Sequence, residues 1–334
     1  MMPHVKDDSA AGAGPSQELW DAVIVGGGIA GMSAAVYLGR SRRKALLVDG
    51  GESMARWEPL VENYLGFPEG LSGKTLLDRG RAQVKKFGVR RADDRIVRIR
   101  RERDTFLLEG DSVVYRSGRV LLATGLTHLL PDIPGADKCL GNSVLFCKDC
   151  DAFRVRGKRI AIYGRRNEAA RYALAILAFS PAVMILTDGR EPTWDRVWQE
   201  ALEEYGVPVY RASVKKLEHE GGRLGAVLFE HGRLPVDALF ATRGDVYHTG
   251  LAEGLGADQD EEGQLKVDGD MRTTVPGLYA AGCVTPANCQ MIIAAGQGAA
   301  AAQAIDHDLL DETLRRHQLP LEGTRRDETQ GALN

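Results

Sequence analysis

The sequence predicts an α/β protein with two Rossmann-like domains, and three observations carry that expectation. The stretch DAVIVGGGIAGMSAAVYLGRSRRKALLVDGGE (21–52) reads strand, glycine turn, helix, strand. A second stretch, from KRIAIYG (158–164) through NEAARYALAILAF (167–179) to AVMILTDG (182–189), repeats the scheme. The chain has 334 residues, 44% hydrophobic and 27% charged, ordinary values for a soluble globular protein of about two domains.

Residues 1–15 are polar and rich in small side chains, and they read as a flexible lead-in without the charged-then-apolar order of a signal peptide. An apolar strand at 22–25 then meets Gly26, Gly28 and Gly31, which satisfy G-x-G-x-x-G. The first glycine permits the tight turn, the second lets a pyrophosphate reach the backbone, and the third lets helix and strand pack closely. A helix follows over about 29–40, and the strand KALLVD (44–49) ends in Asp49, 23 residues after Gly26, with Gly50 and Glu52 beside it. Asp49 would accept a bond from a ribose hydroxyl. A glycine-rich turn in an ordinary α/β domain is the bland alternative.

Between the two units stands VLFCKDCDAF (144–153), in which Cys147 and Cys150 form a C-x-x-C pair. At the start of a helix the dipole would favour the thiolate, the attacking form. Asp151 follows at once and offers a carboxylate for proton transfer. Half of a zinc site, or inert core cysteines, are the alternatives. A four-cysteine zinc site normally brings a second C-x-x-C, which this chain lacks, and no metal is expected. The five cysteines (139, 147, 150, 283 and 289) are an odd number, too sparse for a secreted disulfide scaffold.

A net charge of −3 gives no reason to expect nucleic acid as a partner. The longest apolar run, ALAILAF (173–179), is far too short to span a membrane, so a cytoplasmic chain is expected. The last third returns to short strands, then TVPGLYAAGCV (274–284) and a small-residue helix at 294–310, before a polar tail at 313–334.

These residues, in this order, resemble the low-molecular-weight thioredoxin reductases, a branch of the FAD-dependent pyridine nucleotide–disulfide oxidoreductases. The resemblance covers about residues 20–312. It runs through VIVGGGIAGMSAAVYLGR, VENYLGFPEGLSGKTLL (61–77), LLATGL (121–126), CKDCDAF (147–153) and PGLYAAGCV…CQMIIAAGQGAAAA. It implies a homodimer with a discontinuous FAD domain, about 16–130 and 244–312, and an inserted pyridine-nucleotide-like domain over about 131–243. It further implies that Cys150 lies nearer the flavin, that Cys147 exchanges with a protein disulfide, and that Asp151 donates the proton. Asn63, Thr124 and Gly125 would contact or border the flavin.

The chain departs from the family's pattern at several positions. The second fingerprint should read G-x-G-x-x-A/G but stands as Gly164-Arg165-Arg166-Asn167-Glu168-Ala169, with Arg166 where the backbone should be bare. The family's H-R-R-x-x-x-R segment, which grips the 2′-phosphate of NADPH, aligns with TDGREPT (187–193), leaving Arg190 and adding Asp188, which would repel a phosphate and favour NADH over NADPH. Losing two bonds to charged groups costs roughly 3–6 kcal/mol, against about −8 kcal/mol for micromolar binding. Solvated arginines at a helix start that binds nothing are the competing reading of 165–166. The family's G-D is Gly282-Cys283, with backbone donors remaining around Gln290 and Met291, and its G-G-Q loop is shortened to SMARWEP (53–59). Trp57 there would stack near the flavin or cover the edge of the core.

The expected function is thus an FAD-dependent thiol–disulfide oxidoreductase that moves two electrons between flavin and the Cys147/Cys150 pair. NADPH or NADH use is expected to be weak or absent, with another donor such as ferredoxin. Its partner would be a thioredoxin-like protein or a small disulfide or dithiol. The alternatives are a flavin-dependent dithiol oxidase with oxygen as acceptor and a non-catalytic FAD- or zinc-binding interaction protein.

Overall fold

A computed structural model describes residues 18–318. The lead-in expected at 1–15 lies outside the described residues, as does most of the tail expected at 313–334. The described residues form two compact units. The first holds the chain up to Ser53, Gly80–Gly125 and the stretch from Thr249 onward; the second holds Met54–Arg79 and Leu126–His248.

In the first unit a seven-stranded sheet is built around Leu19–Val25. That strand pairs in parallel with Ala45–Val48 on one side and Val114–Leu122 on the other. The strand Val114–Leu122 is long enough to serve three neighbours. Its first half pairs antiparallel with Thr105–Gly110, and its last three residues pair in parallel with Leu278–Ala280. Four consecutive buried residues in Ala45–Val48 fit a parallel strand covered on both faces.

The helix Ile29–Arg40 has the bounds the sequence predicts, and it packs against the long helix Met291–Arg315 through small residues. A side chain at Gly298 would put its Cβ 2.1 Å from the carbonyl oxygen of Ala30, so the two backbones approach as only glycine allows. The long helix begins three residues before the predicted start at 294 and runs five past 310. Its last five residues, DETLR, include the good helix formers Glu312, Leu314 and Arg315, but lack the small side chains that mark the rest of the helix.

In the second unit five parallel strands run in the order Val209–Tyr210, Val183–Leu186, Ile160–Tyr163, Ala238–Ala241, Val144–Leu145. Side-chain alternation assigns the two faces. Ile160, Ile162, Val183, Ile185 and Phe240 pack with Ala169, Ala173 and Ile176 of the helix Asn167–Ile176. Ala161, Tyr163, Met184, Leu186 and Leu239 pack with Leu217, Leu224 and Val227, which belong to a three-stranded antiparallel sheet. The helix stops three residues short of the predicted 179, and Gly157 N–H caps the Phe179 carbonyl just beyond it. Leu126–His128 pairs antiparallel with Asp245–Tyr247, a two-stranded ribbon at the chain positions where the second unit's main segment begins and ends.

The closest helix contact can be tested directly. Gly298→Ala should destabilise the protein by about 1–3 kcal/mol, because the new methyl meets main chain and not a flexible side chain. Denaturant midpoints measure it, and a value equal to wild type would show that the helices can separate without cost.

Candidate active site

The three glycines of the first turn carry out three separate steric tasks. Gly26 has φ +113°, a left-handed conformation, and a Cβ there would lie 2.3 Å from the Ala123 carbonyl oxygen. A Cβ on Gly31 would lie 1.9 Å from the Gly26 carbonyl oxygen, which holds the helix hard against the turn. Gly28 differs: a Cβ there would meet nothing nearer than Ser53 Oγ at 3.4 Å. Its backbone is extended and its position at the helix N-cap carries no side-chain capping bond. Main chain at the positive end of a helix therefore borders open space, a cradle that fits the diphosphate of a dinucleotide.

Other predicted residues gather around this cradle. Thr124 lies directly across from Gly26, and Gly125 has φ +69°. Gly282, with φ +83°, abuts Ala30 and Ala294, which brings the start of the long helix, at Gln290 and Met291, to the same end of the sheet. Asp49 is buried; one oxygen accepts the Gly51 N–H at 2.8 Å and the other meets Arg91 Nε at 3.1 Å. Carboxylate oxygens accept two bonds each, so a ribose hydroxyl can still be accommodated. Arg91, on the strand Arg90–Ala92, is a partner that sequence reasoning missed, since nothing local links it to Asp49. A Cβ on Gly50 would meet only the Asp94 carbonyl oxygen, at 3.9 Å, and Glu52 is exposed.

The second unit carries the cysteine pair. Cys147 and Cys150 are bonded, with Cα atoms 5.3 Å apart, at the start of the short helix Lys148–Asp151. Cys147 is the N-cap, and its Sγ accepts the Cys150 N–H at 3.1 Å. A donor aimed at that sulfur favours its thiolate once the bond opens. Tyr172 fixes the backbone on both sides of Cys147, donating to the Phe146 carbonyl at 2.9 Å and accepting from Lys148 N–H at 3.0 Å. His128 stacks on Phe146 at 4.6 Å and holds Asp245 at 2.6 Å across the two-stranded ribbon. Asn63 Nδ2 reaches the Asp149 carbonyl at 3.5 Å, so within this unit it borders the cysteine segment.

Asp151 is buried, and burial pushes its carboxyl above the ordinary range, although the adjacent Arg154 guanidinium, ion-paired with it, pulls the other way. Glu58 is also pushed up, by burial first and then by the Asp151 charge, with Arg154 and His128 opposing. Two carboxyls biased toward their neutral forms thus share the neighbourhood of Arg154. Arg154 lies three residues after Asp151, one helical turn, a spacing that could have flagged it. Glu58, 93 residues before Asp151, left no such signal. Trp57 is half exposed with Arg56 over its ring at 4.9 Å, so it does not seal a core.

The turn after Ile160–Tyr163 repeats the first turn's strand–turn–helix build. Gly164 is as confined as Gly26, with a Cβ 2.1 Å from Thr242 Oγ1, and Ala169 packs beneath it. At the position equivalent to Gly28 stands Arg166, extended and exposed. The Arg165 carbonyl accepts Thr193 N–H at 2.7 Å, and Asn167 exchanges two bonds with Asp195 at 2.7 and 2.8 Å. Asp188 accepts the Tyr163 hydroxyl at 2.6 Å and Val214 N–H at 2.9 Å.

Cys283 and Cys289 are also bonded to each other, leaving Cys139, buried, as the free thiol among the described residues. No cluster of three or more His, Cys, Asp or Glu suited to a metal occurs among the described residues, and no helix there is long and apolar enough to cross a membrane.

Residues 20–304 match the family model described as pyridine nucleotide-disulphide oxidoreductase. The chain is 28% identical to the thioredoxin reductase of Bacillus subtilis (strain 168), over 90% of this chain and 98% of that one. It superposes on the crystal structure of HlmI with a TM-score of 0.86 at 30% identity, covering 91% of this chain and 97% of that one. For the thioredoxin reductase of Streptococcus pyogenes MGAS5005 the TM-score is 0.84 at 25% identity, covering 89% and 100%.

Tyr172→Phe removes both bonds that flank Cys147. It should cost about 0.5–1.5 kcal/mol of stability, since a partly buried N–H and carbonyl lose their partner. It should also loosen the cysteine segment enough to raise the alkylation rate of reduced Cys147. Unchanged stability and alkylation would show that the tyrosine does not hold this turn.

Proposed function

The chain belongs to the pyridine nucleotide-disulphide oxidoreductase family, and we propose that this member passes two electrons between FAD and the Cys147–Cys150 pair with weak or absent use of nicotinamide. It is an FAD-dependent disulfide oxidoreductase of the low-molecular-weight thioredoxin reductase type. The observation that carries the finer reading is the contrast between two turns of like build: Gly28 leaves its main chain bare, while the equivalent N-cap position is Arg166, which carries an exposed side chain.

Bound FAD would supply the two-electron carrier that resets the cysteines, held along Gly26, Gly28, Asp49, Thr124, Gly282 and Met291 in a domain of about 16–130 and 244–312. The rest of the chemistry belongs to sulfur. The Cys147 thiolate attacks one sulfur of the partner's disulfide and expels the other as a thiolate. Cys150 then attacks Cys147 in the mixed disulfide, so the partner leaves as a dithiol and the pair is left bonded. The partner gains two electrons and the pair loses two. Asp151, biased toward its protonated form by burial, supplies the proton that the leaving thiolate takes up. A thioredoxin-like protein suits the partner's role, ferredoxin suits the donor's, and a homodimer suits the assembly. The arginine at position 166 equally favours a second reading, a dithiol oxidase in which a small dithiol reduces the pair and oxygen is the final acceptor.

Anaerobic FAD-loaded protein mixed in turn with NADPH, NADH, reduced ferredoxin and a small dithiol should bleach with ferredoxin or dithiol and remain yellow with micromolar nicotinamide. Rapid bleaching by NADPH would overturn the reading of Arg166, and bleaching by dithiol alone would select the oxidase. Proton delivery has its own signature. Because the Asp151 carboxyl is raised, its donor form persists above the usual aspartate range and disappears as pH rises through the shifted value. Exchange should fall over that window in the wild type, whereas Asp151→Asn should be slower by about 10²-fold or more and lack that limb. An unaltered pH profile in the variant would remove Asp151 from the mechanism.

A further inference from the structure

We propose that Cys283 and Cys289 form a second thiol–disulfide exchange site, at which an external dithiol attacks Cys289 and reduces the bond. The inference stands apart from the roles given to Cys147 and Cys150. The two sulfurs are joined across six positions of chain, with Cα atoms 5.1 Å apart. They sit in unlike surroundings. Cys283 is half-buried on a pinned turn: Gly282 N–H donates to Gln297 Oε1 at 2.8 Å, Thr285 Oγ1 donates to the Gly282 carbonyl at 2.8 Å, and Gln264 Nε2 reaches the Thr285 carbonyl at 2.7 Å. Gly282, Val284 and Thr285 are buried around it. Cys289 is exposed, as are Pro286 and Asn288 before it, and it stands immediately ahead of Gln290, the N-cap of the 25-residue helix Met291–Arg315.

This asymmetry gives the bond a direction of attack. A purely structural staple is a poor account of it, because closing so short a loop yields the least entropy. The turn is also already held by Gln264 and Gln297 without the sulfurs. An incoming thiolate reaches the exposed Cys289 Sγ, forms a mixed disulfide, and breaks the bond to Cys283, whose sulfur leaves as a thiolate and takes a proton from water. The dithiol's second thiolate then attacks its own bonded sulfur, closing the external disulfide and releasing Cys289. That second leaving group emerges at the positive end of a long helix, which stabilises the anion. Two electrons and two protons pass from the dithiol to the chain.

The test uses the full-length protein, as the wild type and as the Cys147→Ser/Cys150→Ser double variant. Native oxidised protein is treated with dithiothreitol, sampled over time, alkylated, digested with trypsin and read by mass. The cuts after Arg272 and Arg315 place Cys283 and Cys289 in one peptide, apart from Cys147 and Cys150. The expected result is reduction of this bond in the folded chain, with Cys289 then alkylating at least about tenfold faster than Cys283. In Cys283→Ser, Ellman's reagent should leave a stable mixed disulfide on Cys289. A bond that yields to dithiothreitol only in denaturant would overturn the proposal, as would faster labelling of Cys283 or a pair that fails to close in oxidised glutathione. Should the serine variants not fold, the wild-type time course alone decides. Because the readout is peptide mass, it is independent of whether nicotinamide, ferredoxin or a dithiol bleaches the flavin.

Discussion

The structure of the first unit depends on one close approach: the carbonyl of Gly26 lies where a side chain on Gly31 would have to be, 1.9 Å from the position of its Cβ. This contact sets the helix Ile29–Arg40 so that its first N–H groups face outward from the end of the sheet. Gly298 repeats the constraint from the other side by letting the long helix touch the main chain at Ala30. Gly282 then fits between the starts of both helices. Small residues here are a matter of clearance, since each removed methyl lets polar main chain converge at one end of the sheet.

The second unit builds the same strand–turn–helix geometry from different residues. Gly164 and Ala169 keep the tight packing, so the strand–turn–helix geometry survives. Arg166 carries a side chain where the backbone would have to be bare, and the hydrogen bonds of Arg165, Asn167 and Asp188 with Thr193, Asp195 and Tyr163 join the turn to the neighbouring loop.

The cysteine segment is governed by contacts from distant parts of the unit. Tyr172 and the His128–Phe146 stack position the main chain before Cys147, while Arg154 and burial act in opposite senses on Asp151. A carboxyl close to an arginine would ordinarily ionise readily. Here desolvation is the larger effect, because the group has little water around it. Glu58 extends the same balance to a second carboxyl.

The sequence by itself determined the two βαβ units, the helix over 29–40, the glycine cradle and the cysteine pair, because each depends on residues close together in the chain and on spacing that sterics make nearly obligatory. Gly28 was readable as an open position for that reason, and Arg166 as a filled one. Only the tertiary structure decided the pairings: that Arg91 pairs with Asp49, that Asp188 is engaged by Tyr163, that Tyr172 brackets Cys147, and that Cys283, half-buried, is joined to the exposed Cys289. No local pattern encodes those pairings. Burial and hydrogen-bond partners arise from the packing of segments far apart in sequence, and the chemical character of a carboxylate or a sulfur follows from that packing.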